Sequence, residues 1–104
     1  LHSYFNHSFT KELYKHPLYH EAAIAYETEE SLVYGYVDMI SESKDRVVIV
    51  DFKSDNVNDG EQLINRYKIQ LTKYAEGLRK VYEDTLVEVY LYSFKLNEYF
   101  KVNL

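Results

Sequence analysis

Residues 46–53, Arg-Val-Val-Ile-Val-Asp-Phe-Lys, decide the fold of this chain. Their β-branched and aromatic side chains are typical of a β-strand. Side chains alternate along a strand, and both faces of this stretch are apolar. A strand that is apolar on both faces is central and covered on both sides. Asp51 and Lys53 therefore leave the same face at the C-terminal end of a buried strand, where ligands tend to bind in open α/β sheets.

The flanking sequence predicts helices and further strands around this central strand. Apolar residues at helical spacing indicate a first helix that ends before Pro17. Asp59 is a suitable N-cap for a long second helix. The predicted elements are a helix over 3–16, strands over 19–27, 32–40 and 46–53, a helix from about 61 to about 82, and strands over 86–92 and 97–103. The order α-β-β-β-α-β-β predicts an α/β fold in a single domain over 1–104, with a right-handed crossover through the long helix if the third and fourth strands are parallel.

The composition excludes several classes of protein. With 46% hydrophobic residues, three Gly and one Pro, the 104-residue chain is neither disordered nor collagen-like. It has no Cys, which excludes disulfide scaffolds and thiolate zinc sites and suits a cytoplasmic location. No apolar run approaches the roughly 20 residues of a membrane span, so we expect no membrane partner. The net charge of −5 means that any contact with nucleic acid depends on a local site.

Two acids and a lysine form the first candidate site. If the strands over 32–40 and 46–53 form a hairpin, Asp38 lies near Asp51, although Asp38 is expected near the end of its own strand. Two half-buried carboxylates repel each other, and a hard divalent cation such as Mg²⁺ removes that repulsion. Lys53 would then orient a metal-bound water or stabilise developing negative charge. The alternative is an ordinary salt bridge between Asp51 and Lys53, because an Asp-x-Lys triplet alone is very common.

The long helix adds polar side chains to this region. Gln70 and Tyr74 are one helical turn apart, and with Tyr67 they place polar tips on an otherwise apolar stripe that faces the sheet. This stripe is typical of the wall of a site, or else of an amphipathic helix whose tyrosines lie half in solvent. The predicted stripe is Leu63, Tyr67, Gln70, Leu71, Tyr74, Leu78 and Val81.

Three motifs in this order resemble the nuclease domain of RecB-type enzymes, which belong to the PD-(D/E)XK superfamily. They are Gly35-Tyr-Val-Asp38, then Val50-Asp-Phe-Lys-Ser-Asp55, then Tyr67-Lys-Ile-Gln-Leu-Thr-Lys-Tyr74. Within that family the sequence is most similar to the A subunits of AddAB helicase–nucleases. The strong resemblance covers residues 35–82. It implies a restriction-endonuclease-like mixed sheet flanked by helices.

The resemblance also implies a function and residue roles. Asp38, Asp51 and the backbone carbonyl of Phe52 would be metal ligands, Lys53 the catalytic lysine, and Gln70 and Tyr74 a pair beside the active site and the DNA strand. Glu21 would be an outer member of the site, and Ser54 and Asp55 turn and supporting groups. The implied reaction is hydrolysis of DNA phosphodiester bonds with Mg²⁺ or Mn²⁺, by an exonuclease acting in double-strand break repair. The implied partners are DNA and the second protein of a heterodimeric helicase–nuclease.

Two features depart from the family pattern. Family members carry a metal-binding histidine on a helix well upstream of the first strand, and none of His2, His7, His16 and His20 matches it. We expect His7 and His16 on the solvated face of the first helix. The chain also lacks a Gly-rich phosphate loop, so ATP would bind only in a separate helicase part. The chain starts at Leu1 without Met, and we expect it to be a C-terminal fragment of a larger helicase–nuclease.

Two further functions remain open from the sequence. A catalytically degenerate nuclease fold would act as a structural or protein-contact module. A tyrosine-rich module for single-stranded nucleic acid would need cations among exposed aromatics on one sheet face. Glu88, which lies between the tyrosines of the 86–92 strand, disfavours the second alternative.

Overall fold

The stretch 46–53 forms the predicted strand in the middle of the sheet. The computed structural model describes residues 2–27 and 29–103, with the backbone alone for His2, Ser3, Tyr26 and Val33. Within this part of the chain the elements are α1 (His2–Asn6), α2 (Ser8–Leu13), β1 (Leu18–Glu27), β2 (Leu32–Glu42), β3 (Arg46–Lys53), α3 (Gly60–Val81), β4 (Leu86–Ser93) and β5 (Glu98–Val102).

The described strands form one mixed sheet in the order β1-β2-β3-β4-β5. Neighbouring strands are antiparallel except β3 and β4, which are parallel and joined by α3. The predicted hairpin of β2 with β3 and the predicted parallel pair are therefore both confirmed. The structure confirms a mixed α/β fold.

The two faces of β3 pack against different helices, as its sequence predicts. Val47 and Ile49 are fully buried beneath α3. Val48 and Val50 are buried on the other face, against Tyr4 of α1 and Leu13 of α2. Both layers exclude water from β3, so the charged side chains at its end emerge from an apolar surround.

Helix α3 begins at the predicted cap. The Asp59 carboxylate accepts a hydrogen bond from the backbone N–H of Gln62 at 2.9 Å, and Gln62 in turn accepts one from the N–H of Asn58 at 2.9 Å. The first of these bonds satisfies a backbone donor that the first helical turn leaves free, and the second ties the residue before the cap to that turn. The cap fixes where the helix starts relative to the end of β3.

The buried face of α3 differs from the predicted stripe at two positions. Gln70 is exposed, and Val81 is 66% exposed, so both assignments to the buried stripe are wrong. The buried stripe passes through Ala75 and continues to Tyr82 instead of Val81. Four residues complete slightly more than one helical turn, so Tyr82 lies closer than Val81 to the face that carries Leu78. The buried residues of the helix are Gly60, Leu63, Leu71, Ala75, Gly77 and Leu78.

The predicted single helix over 3–16 is two short helices. His7 separates them with an extended backbone, φ −64° and ψ 135°. Its imidazole bonds the backbone carbonyl of Asn97 at 2.7 Å and packs edge-on against Tyr92 and Tyr99. The expectation that His7 is solvated is therefore wrong. The tertiary contacts of this one ring override the helical spacing of the local sequence.

None of the helices in residues 2–27 and 29–103 has the length and hydropathy needed to cross a membrane.

Candidate active site

Asp38 and Asp51 lie opposite each other where β2 and β3 separate. Met39 and Val50 form the last pair of the antiparallel ladder, and Asp38 and Asp51 are the next positions in the same register. Beyond the ladder, the Asp38 carboxylate accepts a hydrogen bond from the backbone N–H of Phe52 at 2.8 Å. The Asp38 carboxylate therefore pairs with a backbone N–H of β3 that has no partner in the ladder where the two strands diverge. It faces Asp51 across the gap.

Asp38 does not lie near the end of its strand, contrary to the sequence expectation. Strand β2 continues to Glu42, so Asp38 lies within it. The strand also reverses its faces there, because Val37 packs beneath α3 whereas Met39 packs against α1 and α2. Residues two apart in a regular strand share a face. The reversal turns the backbone at Asp38.

Glu21 occupies the matching position in β1. His20 pairs with Met39 and Ala22 with Val37, so Glu21 is in register with Asp38. Glu21 has a left-handed backbone, φ 51°, and its side chain is exposed. Glu21, Asp38 and Asp51 therefore occupy matching positions across the neighbouring strands β1, β2 and β3. Its predicted role as an outer member of the site stays a prediction.

Replacing Glu21 with Gly should stabilise the protein. A left-handed L-residue costs about 1–2 kcal/mol, and Gly removes that cost while losing about 0.5–1 kcal/mol of strand entropy. We expect the free energy of unfolding in urea to rise by about 0.5–1 kcal/mol. Ala23→Gly, at an exposed neighbouring strand position, should lower it by a similar amount. Equal destabilisation by both variants would show that position 21 stores no strain.

Asp51 is buried beside a like charge. It is only 9% exposed, and one carboxylate oxygen lies 3.0 Å from the Lys53 Nζ. Burial first, and then the hydrogen bond with Asp38, raise the pKa of Asp51 to about 6, while Lys53 acts in the opposite direction. One lysine therefore does not fully compensate the two acids.

Lys53 is enclosed by an aromatic ring as well as by Asp51. Its Nζ lies 3.9 Å from the centre of the Tyr67 ring. The Tyr67 hydroxyl donates a hydrogen bond to Asp55 at 2.7 Å, and Arg66 reaches the same carboxylate oxygen at 3.0 Å. Tyr67, then Arg66, hold the pKa of Asp55 below its usual range. The sequence indicated Tyr67 and Asp55 but did not predict their contact. The only sign of it in the sequence is that the two residues lie in adjacent motifs.

Gln70 and Tyr74 contact each other, and Tyr74 packs on strand β2. The Gln70 amide donates a hydrogen bond to the Tyr74 hydroxyl at 3.2 Å. A Cβ built on Gly35 would lie 2.3 Å from that hydroxyl. The Gly of the first motif and the Tyr of the third therefore pack directly together. The structure brings Gln70 to Tyr74 and packs Tyr74 on Gly35. The Gln70 side chain is in solvent, and its predicted role beside the site stays a prediction.

The residues of this site fit a hard divalent cation better than zinc. Mg²⁺ takes one or two carboxylates together with water and substrate oxygens, and the pair of half-buried Asp38 and buried Asp51 supplies two. In the part of the chain that the structure describes, no group of three or more His, Cys, Asp or Glu residues forms a metal cluster. A structural zinc site has four protein ligands.

The fold and the site define a mixed α/β domain with two carboxylates and a lysine at the end of its central strand. Over 78 residues, 75% of the chain, the sequence is 36% identical to the A subunit of an ATP-dependent helicase/nuclease from Clostridium botulinum (strain Okra / Type B1). It is 38% identical over 80 residues to the protein of the same name from Clostridium perfringens (strain SM101 / Type A). The chain spans about 6% of the length of these relatives. No protein-family profile matches it.

These similarities relate the chain to a region of the A subunits of ATP-dependent helicase/nucleases. They agree with the coarser part of the resemblance seen in the three motifs. Both relatives are named for a helicase and a nuclease activity, and neither name assigns one of these to the matched region.

Proposed function

We propose that this chain is a nuclease-type domain of the PD-(D/E)XK superfamily that hydrolyses DNA phosphodiester bonds with Mg²⁺ or Mn²⁺. The observation that supports this most is the pair of acids across the β2–β3 gap, with Lys53 at 3.0 Å from Asp51. A simple salt bridge would explain Lys53 and Asp51. It would not explain why the half-buried Asp38 faces the buried Asp51 and raises the pKa of Asp51.

Each residue has a role in the proposed reaction. Asp38, Asp51 and the backbone carbonyl of Phe52 would hold the cation, which when bound activates water and polarises the phosphate. Lys53 would hold its ammonium beside the attacking water and the phosphate, where it offsets developing negative charge. Because α1, α2 and α3 cover the two sheet faces, the lysine acts from an apolar surround in which its charge is weakly screened.

Side chains of α3 offer a surface for the DNA strand. Arg66, Gln70, Lys73 and Tyr74 line a cavity of about 400 Å³ together with the exposed ring of Tyr34. Cations bind phosphates, and exposed aromatic rings stack on bases. Gln70, exposed and bonded to Tyr74, suits contact with a bound strand.

The names of the relatives suggest the larger setting. We propose an exonuclease that belongs to an ATP-dependent helicase–nuclease in double-strand break repair. ATP would bind in a helicase part, and the partner would be the other protein of a heterodimer. This proposal rests on the similarity to the two clostridial helicase/nuclease proteins.

Calorimetric titration with Mg²⁺ and Mn²⁺ tests the site. We expect the chain to bind a cation, Asp51→Ala to lose binding, and Asp84→Ala, an exposed aspartate before β4, to keep it. Circular dichroism checks that each variant is folded. Equal binding by the chain and Asp51→Ala would place the cation elsewhere and overturn the proposed site.

A catalytically degenerate module is the second candidate, favoured because no third His, Cys, Asp or Glu of the described residues joins Asp38 and Asp51 in a metal-binding group. It predicts no cation binding by this chain, nor by a chain extended upstream by about 100 residues, a domain length that would include the expected histidine. The third alternative, a tyrosine-rich module that stacks single-stranded nucleic acid on one sheet face, gains no support from β4, because Tyr90 and Tyr92 pack against α1 and α2.

A further inference from the structure

We propose that Tyr67 is a positioning residue for Lys53, and that Asp55 and Arg66 fix the Tyr67 ring in place. The role of Lys53 in hydrolysis rests on the proposed function, whereas the positioning contact does not. The two are therefore tested by different measurements.

The contact between Lys53 and Tyr67 has the geometry of a cation–π interaction. The ammonium lies 3.9 Å from the ring centre, well within the roughly 6 Å over which such contacts attract. The Lys53 side chain is 19% exposed, so little water competes for the charge. The ring face therefore attracts the ammonium from the side of α3, while Asp51 attracts it from within β3.

The Tyr67 ring is held from its other end. Its hydroxyl donates to the Asp55 carboxylate at 2.7 Å, and Arg66 binds the same oxygen at 3.0 Å. A phenol that donates to a carboxylate has a more electron-rich ring, which strengthens attraction to a cation. Asp55 therefore both orients the ring and increases its affinity for Lys53.

The loop that carries Asp55 is itself anchored. Val57, two residues later, is fully buried in the core beneath α3. Its backbone N–H bonds the Asp55 carbonyl at 3.0 Å, and Asn56 bonds Lys95. At the start of the loop, the Lys53 carbonyl accepts a hydrogen bond from the N–H of Phe94 at 3.0 Å. The backbone on both sides of the contact is thus fixed, which defines where the Lys53 and Asp55 side chains begin.

This arrangement resolves a conflict in the site. A cation bound by Asp51 would compete with Lys53 for the same carboxylate. A neutral ring does not bind Mg²⁺, so Tyr67 holds Lys53 without competing for the carboxylates of Asp38 and Asp51 that would bind the cation. Lys53 consequently keeps one anchor whether or not Asp51 is engaged elsewhere.

Nuclear magnetic resonance of the 104-residue chain tests the contact directly. Protons above an aromatic ring resonate upfield, so the ε-methylene protons of Lys53 should lie upfield of those of the exposed lysines. Tyr67→Leu should abolish this shift, and Tyr67→Phe should restore most of it, because the ring remains without its hydroxyl. Asp55→Ala should reduce it. Tyr82→Leu, which removes the tyrosine bonded to Glu42 at the far end of α3, should leave it unchanged.

Adding MgCl₂ distinguishes a failure of the positioning role of Tyr67 from a failure of the proposed nuclease function. In the unmodified chain the Lys53 shift should persist with Mg²⁺, whereas in Tyr67→Leu it should match an exposed lysine. A Lys53 shift that survives Tyr67→Leu, in a folded variant, would overturn the positioning role. Failure of the chain to bind Mg²⁺ would count against the nuclease proposal alone.

Discussion

Asp51→Asn should raise the free energy of unfolding at pH 8 by about 1–3 kcal/mol. The ordinary pKa of an Asp is 3.8, and burial with the neighbouring Asp38 raises that of Asp51 to about 6 in the folded protein. Above pH 6 the folded protein therefore carries a charge that costs more than it does in the unfolded chain. Asn has nearly the same shape and no charge, so it removes this cost.

The pH dependence gives the prediction its sign. As the pH falls from 6 to 3.8, folded Asp51 binds a proton before the unfolded chain does, so this group adds stability in that window. The advantage of Asp51→Asn should consequently shrink as the pH is lowered and vanish near about pH 3.5. Acids with lowered pKa values, such as Asp55 and Glu88, destabilise both proteins alike in acid.

Urea denaturation at several pH values, followed by circular dichroism, measures this difference. Saturating Mg²⁺ should reduce or reverse the stability advantage of Asp51→Asn at pH 8. The cation would bind the folded unmodified chain, and a ligand that binds only the folded protein stabilises it. Asp84→Asn serves as a control for the loss of one negative charge at an exposed position. A difference between Asp51→Asn and the unmodified chain that is independent of pH would show that Asp51 is not electrostatically strained.

Gly35→Val should lower the free energy of unfolding by about 1–3 kcal/mol. The Cβ would lie 2.3 Å from the Tyr74 hydroxyl and 2.5 Å from the ring carbon that bears it. The ring must move away, which also breaks the hydrogen bond from Gln70. Val favours strands over Gly, so the loss comes from the close approach of Tyr74 and not from backbone preference.

A double-mutant cycle isolates that contact. In a Tyr74→Ala background the space above position 35 is free, and Gly35→Val should then cost little or stabilise. We expect a coupling energy of about 1–3 kcal/mol between the two positions. Additive effects would mean that Gly35 is required for another reason. Unfolding in urea measures all four proteins under the same conditions.

Much of the fold was predictable because its signals are local. The two-sided apolar pattern of β3 predicted a central strand, and Asp59 predicted the start of α3; both are confirmed. The predicted first helix was wrong at His7, where an extended backbone accompanies a contact with Asn97, 90 residues away, that local spacing does not signal. Val81 was wrong because the choice between positions 81 and 82 depends on where the sheet lies beneath the helix.

The candidate site shows the same division. Alternation along β3 placed Asp51 and Lys53 together, and the predicted hairpin brought Asp38 near them; both contacts are confirmed. The place of Asp38 within β2, the match of Glu21 to it and the solvent exposure of Gln70 were beyond the sequence. Each depends on strand register or on how far α3 lies from β2, and neither quantity leaves a periodic pattern in the chain.

By itself, the sequence determined which residues are apolar on each face of a strand or helix, and that Asp51 and Lys53 lie on the same face of β3. Both follow from strand and helix geometry. Only the tertiary structure decided that Asp38 faces Asp51 across a strand boundary, that Gly35 makes room for Tyr74, and that Tyr67 covers Lys53. These contacts join residues from different elements. They depend on strand register and on how α3 packs on the sheet, which the local pattern of a single element does not specify.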